Sequence, residues 1–351
     1  MKKIKYLLFP LLCICCIENR NIFNATEKVF DHFNEEYYLQ AKAINFDSIV
    51  MKPRGIFHID SFLIFGLGRG HPHFYSIYNL QTNSFVGAFL QRGRGPNEFL
   101  SLNYWNNHSL QNNQRWLYLS AINEKQVIKF NLSDFLQSGS INIEILNQYK
   151  DLQMNTHILN DSTFLAYMFT QNNKDFRVFY RKYYSTSDKR EEINLTKKNV
   201  RNYEEFNLLW AAEHIRQDGK KMAMAMSNMN RVHIFNLEEP TNNITLTPKG
   251  QKHILLSDLS QQSFHATVYY SAVKTTQDYI FALFHNQFFV DWQHCQSKKV
   301  EIHVFNWNGL PIYKLHIDEC LSNFCIDPGK KIMYAYDHEE NIYQYDLSKI
   351  L

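Results

Sequence analysis

Clusters of histidine, cysteine, carboxylate and arginine mark where chemistry would sit in this sequence. His71-Pro72-His73 offers two imidazoles from one loop, and the stretch His285 to Cys295 adds Asp291, His294 and Cys295. Both contain donors suited to zinc or copper. Neither fixes a third ligand at a diagnostic interval, and with fifteen histidines in the chain, accidental neighbours are expected. Both stretches therefore read as structural or solvent-facing, with no metal. Arg92, Arg94 and Glu98 are the candidate binding residues. The two guanidiniums are suited to an anion clamp, while Glu98 is suited to accepting from turn amides or pairing with an arginine. The structural role is favoured, because turn chemistry already explains the residues around them.

Signatures of known catalysis are missing. The chain has no Gly-x-Ser-x-Gly elbow, no Gly-x-x-x-x-Gly-Lys phosphate loop and no His-Glu-x-x-His zinc helix. Gly66-Leu67-Gly68-Arg69-Gly70 lacks dinucleotide-binding spacing and precedes a strand, so it reads as an inter-strand loop. No catalytic residue and no cofactor are assigned. Phe288-Phe289-Val290-Asp291-Trp292 would suit a sugar- or peptide-binding surface, or an insertion folded back on a rim.

The elements that must position these residues are strands. Aromatics supply 27 Phe, 21 Tyr and 5 Trp of 351 residues, a bias that suits pleated, half-buried surfaces. The net charge of +3, from 37 basic and 34 acidic residues, shows no concentrated basic face and argues against nucleic acid as a partner. A unit of about fifty residues recurs six times. It consists of a turn, an apolar strand, and a second strand that ends on Asn or Asp followed by Leu or Trp. The turn markers Asp60, Asn113, Asp161, Asp218, Asp278 and Asp327 are 53, 48, 57, 60 and 49 residues apart. Closing phrases include Tyr78-Asn79-Leu80, Phe130-Asn131-Leu132, Phe235-Asn236-Leu237, Phe305-Asn306-Trp307 and Tyr345-Asp346-Leu347, with the third copy weakest. Several strands per unit at this period indicate propeller blades.

The first sixteen residues stand apart. Lys2, Lys3 and Lys5 precede an apolar run from Tyr6 to Cys16 that is too short to span a bilayer, the pattern of a secretory signal. Cys13, Cys15 and Cys16 sit where a bacterial lipoprotein carries its acylated cysteine; Cys16 is the favoured site and Cys15 the alternative. Residues 17–35 read as a flexible tether, and Asp31 to Gln40 as including a short helical turn. Cys320 and Cys325, close in sequence, are the candidates for a disulfide in an oxidising compartment, leaving Cys295 unpaired.

The turn Leu90-Gln91-Arg92-Gly93-Arg94-Gly95-Pro96-Asn97-Glu98-Phe99 combines two glycines, two arginines and a proline abruptly after an apolar, strand-like run. Gly93 and Gly95 are expected to take backbone angles forbidden to side chains, Pro96 to stiffen the turn and Phe99 to anchor it. Residues 93–99 resemble the Gly-x-Gly-Pro-Gly-Glu-Phe signature of bacterial six-bladed TolB-like β-propeller lipoproteins, with Asn97 in place of the glycine. That resemblance implies an all-β, six-bladed propeller of four-stranded antiparallel blades over residues 36–351. It also implies a lipid-anchored protein at the cell envelope, facing the periplasm or the cell surface. The reading that follows is a non-catalytic binding or scaffold module, held to the membrane through its N-terminal lipid, with an unidentified protein, peptide or glycan ligand. The rival is a propeller-type metal-dependent hydrolase or lyase with its site in the central channel. Such an enzyme needs a ring of polar residues at equivalent positions of several blades, and no such ring is visible in the sequence.

Overall fold

The computed structural model describes residues 23–149, 155–172, 175–185, 187, 189–197, 200, 206–207, 209–251, 267–295 and 300–351. Residues 1–16, read above as a signal, lie outside them, and so do Cys15 and Cys16. Three N-terminal strands, β1 (Thr26–Phe30), β2 (Glu35–Leu39) and β3 (Lys42–Ile44), run along the outside of the body. Six blades follow. Blade 1 holds β4 (Pro53–Ile59), β5 (Phe62–Leu67), β6 (His73–Asn79) and β7 (Ser84–Gln91). Blade 2 holds β8 (Asn103–Gln111), β9 (Gln114–Ala121), β10 (Gln126–Asn131), helix α1 (Leu132–Ser138) and β11 (Ile143–Gln148). In blade 3 are β12 (Asn155–Asn160), β13 (Thr163–Asn172), β14 (Asp175–Tyr184) and β15 (Arg190–Asn194). Blade 4 contains β16 (Ala211–Ile215), β17 (Lys221–Met226), β18 (Val232–Asn236) and β19 (Ile244–Pro248). Blade 5 contains β20 (Thr267–Thr275), β21 (Tyr279–Phe288), helix α2 (Phe289–Gln293), β22 (Val300–Asn306) and β23 (Pro311–Ile317). Blade 6 is built from β24 (Leu321–Asp327), β25 (Ile332–Asp337) and β26 (Ile342–Asp346), and β3 completes it.

The all-β, six-bladed propeller expected from the repeat is therefore the fold. Middle strands are apolar on both faces because each blade packs against two neighbours. In β17, Met222, Met224 and Met226 turn toward blade 3, while Ala223 and Ala225 turn toward blade 5. In β5, Ile64 joins the core shared with blade 2, whereas Leu63, Phe65 and Leu67 join the core shared with blade 6. The hydrophobic core is thus six inter-blade layers rather than one centre.

All six turn markers fall at the connection from the first to the second strand of a blade. The closing phrase has a local cause. Asn79, Asn131, Asn236, Asn306 and Asp346 end the third strand, and each side-chain oxygen accepts from backbone N–H groups two to four residues on. This side-chain-capped turn is the one Asn and Asp favour. The next residue is then buried: Leu132, Leu237, Trp307 and Leu347 are core.

The N-terminal segment departs from expectation. Residues 26–35 are not a tether: β1 pairs in parallel with β19, from Thr26 opposite Ile244 to Phe30 opposite Pro248, and Phe23 is buried. Nor is there a helical turn at 31–40, because β2 pairs in parallel with β23. Its side chains alternate, with Tyr37 and Leu39 inward and Tyr38 80% exposed, the period of a strand rather than a helix. Blades 4 and 5 consequently have five strands, the outermost parallel. Ring closure joins the two ends of the body, since β3 pairs antiparallel with β26 through Lys42–Gln344, Ala43–Tyr343 and Ile44–Ile342. Among the described residues no helix is long and apolar enough to cross a membrane.

Candidate functional site: the central channel

The first strand of every blade lines one cavity of about 470 Å³ on the propeller axis. Near their outgoing ends these six strands place His58, His108, His157, His214, Lys274 and Cys325 on its wall, one residue per blade. This is the ring of polar residues that the sequence had not revealed. Each member lies two to five residues before the turn marker of its blade. The offset varies, so the markers narrow the search to a few residues per strand without singling one out.

Three members reach residues of the adjacent blade. The Nε2 atom of His58 lies 3.2 Å from an Asp327 carboxylate oxygen, and both side chains are at most 10% exposed. His157 and Glu213 meet at 2.6 Å, with side chains 2% and 6% exposed. His214 Nδ1 is 2.7 Å from the Thr275 hydroxyl, which itself donates to the Ile215 carbonyl. Burial holds His58 below the ordinary imidazole range although Asp327 opposes the shift. It also lowers His108, which faces the cavity between the channel walls and feels His58. His214 is held well below its ordinary value, first by burial and then by Lys274 and His157. Burial brings Lys274 down to about 8 and pushes the Cys325 thiol up to about 12.

At neutral pH the channel therefore presents the neutral imidazoles of His58, His108 and His214 and the Cys325 thiol beside the Lys274 ammonium, while its other cations, Arg216 and Lys330, lie against Asp218 and Asp327. The cavity carboxylates have partners: Asp327 has His58 and Lys330, and Asp60 has Arg115. Among the described residues no carboxylate pairs with Lys274. An enclosed cation without a counter-ion favours an anionic guest.

Other residues singled out in the sequence lie elsewhere. None of Arg92, Arg94 and Glu98 lines the cavity. Arg92 spreads its guanidinium 3.8 Å above the Phe74 ring and donates to the Leu67 carbonyl at 2.8 Å, whereas Arg94 is exposed. His71 and His73 face each other, their rings 5.9 Å apart, with His71 Nδ1 accepting from the His73 amide. Phe288 and Val290 are exposed on the blade 5 insertion. The disulfide differs from the one expected: Cys295 bonds Cys320, and Cys325 is a buried free thiol. Cys320, just ahead of β24, belongs to the core shared with blade 5, whereas Cys325 belongs to the core shared with blade 1, so the two lie on opposite sides of blade 6.

The glycine-rich turn links blades 1 and 2, and its glycines act through space rather than angle. Neither Gly93 nor Gly95 has a positive φ; Asn97, at φ 59°, takes the left-handed position that asparagine tolerates. A Cβ on Gly93 would overlap the Glu98 carboxylate, which accepts from the Gly95 amide at 2.7 Å. Phe99, 6% exposed, packs among Phe89, Leu117 and Phe130 of both blades. Phe99→Ala should cost roughly 3–5 kcal/mol. Gly93→Ala should displace Glu98 and cost about 1 kcal/mol, one hydrogen bond. Arg94→Ala should stay within about 0.5 kcal/mol of wild type. Chemical denaturation of the three variants checks the order, and a Phe99→Ala protein as stable as wild type would show that the turn does not hold blades 1 and 2 together.

The family described as TolB-like 6-blade propeller-like matches residues 31–329. The chain belongs to that family. No curated protein matches this TolB-like propeller in sequence. Its fold is similar to that of a DUF4221 family member from Bacteroides vulgatus, with a TM-score of 0.56 at 9% identity, covering 88% of this chain and 95% of that one. Raptor from Chaetomium thermophilum aligns with a TM-score of 0.48 at 11% identity, over 88% of this chain and 29% of that one.

Proposed function

We propose that this TolB-like propeller is a non-catalytic binding module, exported and lipid-anchored at Cys16, whose site is the central channel and whose ligand is a small anion. A carboxylate or phosphate group meets the requirement, whether on a free metabolite, a peptide terminus or an acidic sugar. The observation that carries this reading is Lys274, a cavity-lining ammonium without a carboxylate partner among the described residues, framed by the neutral imidazoles of His58, His108 and His214. Neutral imidazoles donate or accept hydrogen bonds without adding charge, so they can orient a guest that the ammonium holds.

Thermal-shift titration with a panel of carboxylates and organic phosphates tests it. At least one should stabilise the wild type, lose its effect with Lys274→Met, and weaken as pH rises through about 8, where the ammonium gives up its proton. A panel without any stabilising anion would sink the reading. Membrane fractionation of Cys16→Ser tests the anchor, since release into the soluble fraction is expected. A second reading, a metal-dependent hydrolase or lyase in the same channel, rests only on four histidines lining it, which do not gather within reach of one ion among the described residues. Hydrolysis that requires added metal and is lost with His214→Ala would select it.

A further inference from the structure

Away from the channel, the blade 5 insertion meets blade 6 in a second cluster. Cys295 follows α2, Cys320 lies between β23 and β24, and His338 follows β25. One ligand atom from each of the three lies within 4.8 Å of the other two. Among the described residues this is the one group of three such donors close enough to share an ion. The cysteines form a disulfide, with Cα atoms 6.1 Å apart. A disulfide requires only two sulfurs, yet an imidazole stands beside this one with its Nε2 atom buried and without a hydrogen-bond partner. Trp292, 5.7 Å from the His338 ring, and His285, 6.0 Å beyond Trp292, also bury ring nitrogens that have no partner. Buried polar atoms are rarely left so, and here they gather around one locus.

We propose that Cys295, Cys320 and His338 form a redox-gated site for a thiophilic d10 ion such as Zn²⁺, closed as a disulfide and open when reduced. Two thiolates and an imidazole are the donor set that such ions select. In opening, an external dithiol transfers two electrons to the Cys295–Cys320 bond and leaves as its own disulfide. The two new thiols release two protons to solvent as they bind the ion. The fourth position stays with water. Nothing in this inference depends on the channel or its ligand.

The test uses the full chain and zinc alone. Oxidised and phosphine-reduced protein are equilibrated with Zn²⁺ and the bound metal is counted, so that any channel binding appears equally in both. Reduction should add one equivalent. With Co²⁺ as the probe, reduction should bring up a thiolate-to-cobalt charge-transfer band. His338→Asn, which leaves the disulfide in place, should weaken the added site by more than about tenfold, since even outer partners of a ligand are worth that much. Should the paired change Cys295→Ser/Cys320→Ser leave the fold intact, as circular dichroism reports, it should abolish the site. Equal zinc in both redox states, or an added site indifferent to His338→Asn, overturns the proposal.

Discussion

Deleting residues 338–351 is expected to unfold the whole propeller rather than fray one end. The segment contains β26, the strand to which β3 is bonded, together with Tyr345, Leu347 and Ile350, all at most 5% exposed. Burying each such side chain contributes about 1.5–3 kcal/mol. Counting Ile342, also 5% exposed, the four remove roughly 6–12 kcal/mol, comparable to the entire stability of an ordinary domain. Loss of β26 also frees β3 and bares the edge of β25. Truncated protein should elute expanded on size exclusion and show no cooperative melt. A truncated chain that melted like the full-length one would show that the ring does not depend on this closure.

The second large effect is acid sensitivity well above the carboxylate range. His233 and His285 are buried and His214 half-buried on the channel wall; His214 and His233 are held well below the usual histidine value and His285 is held at about 3, desolvation being the main cause for each. When pH drops below 6.5, the unfolded chain takes up these protons and the folded chain does not, so stability falls as pH falls. For His285 the loss between pH 6.5 and 5 is about 2 kcal/mol, and the other two act in the same direction. Denaturant midpoints measured across that window should decline steeply. In His285→Asn the slope should lessen by about 1.4 kcal/mol per pH unit. A flat wild-type profile would mean that these histidines take up protons without unfolding.

What the sequence disclosed and what it hid divide along the range of the interaction. Asp218-Gly219 and the phrase Asn236-Leu237 act within a few residues, so their types are dictated locally and the blade repeat could be counted. The channel ring has no such local rule. Its members belong to six strands that approach only once the circle closes, and they are of three residue types, so no repeated letter marks them. Strands β1 and β2 escaped notice for a related reason, because parallel partners far along the chain leave no turn signal beside them. The cysteine pairing failed on geometry: five residues separate Cys320 from Cys325, but they belong to opposite faces of blade 6. Sequence proximity could not reveal that the insertion returns Cys295 to the seam.

The outer position of β1, β2 and β3 has a consequence for the order in which the molecule is made. Thr26 waits for Ile244, Glu35 for Tyr313 and Lys42 for Gln344, so the earliest-synthesised part of the body meets its partners more than two hundred residues later. The equilibrium penalty is small, because closing a loop of about 300 residues instead of about 30 costs only some 2 kcal/mol more. The delay is kinetic, as it is for folds dominated by distant pairings. Until the segment docks, β19 and β23 present unpaired backbone groups to other nascent chains. The newly made chain is therefore most prone to edge-to-edge aggregation late in synthesis, and the meeting of β3 with β26 ends that interval.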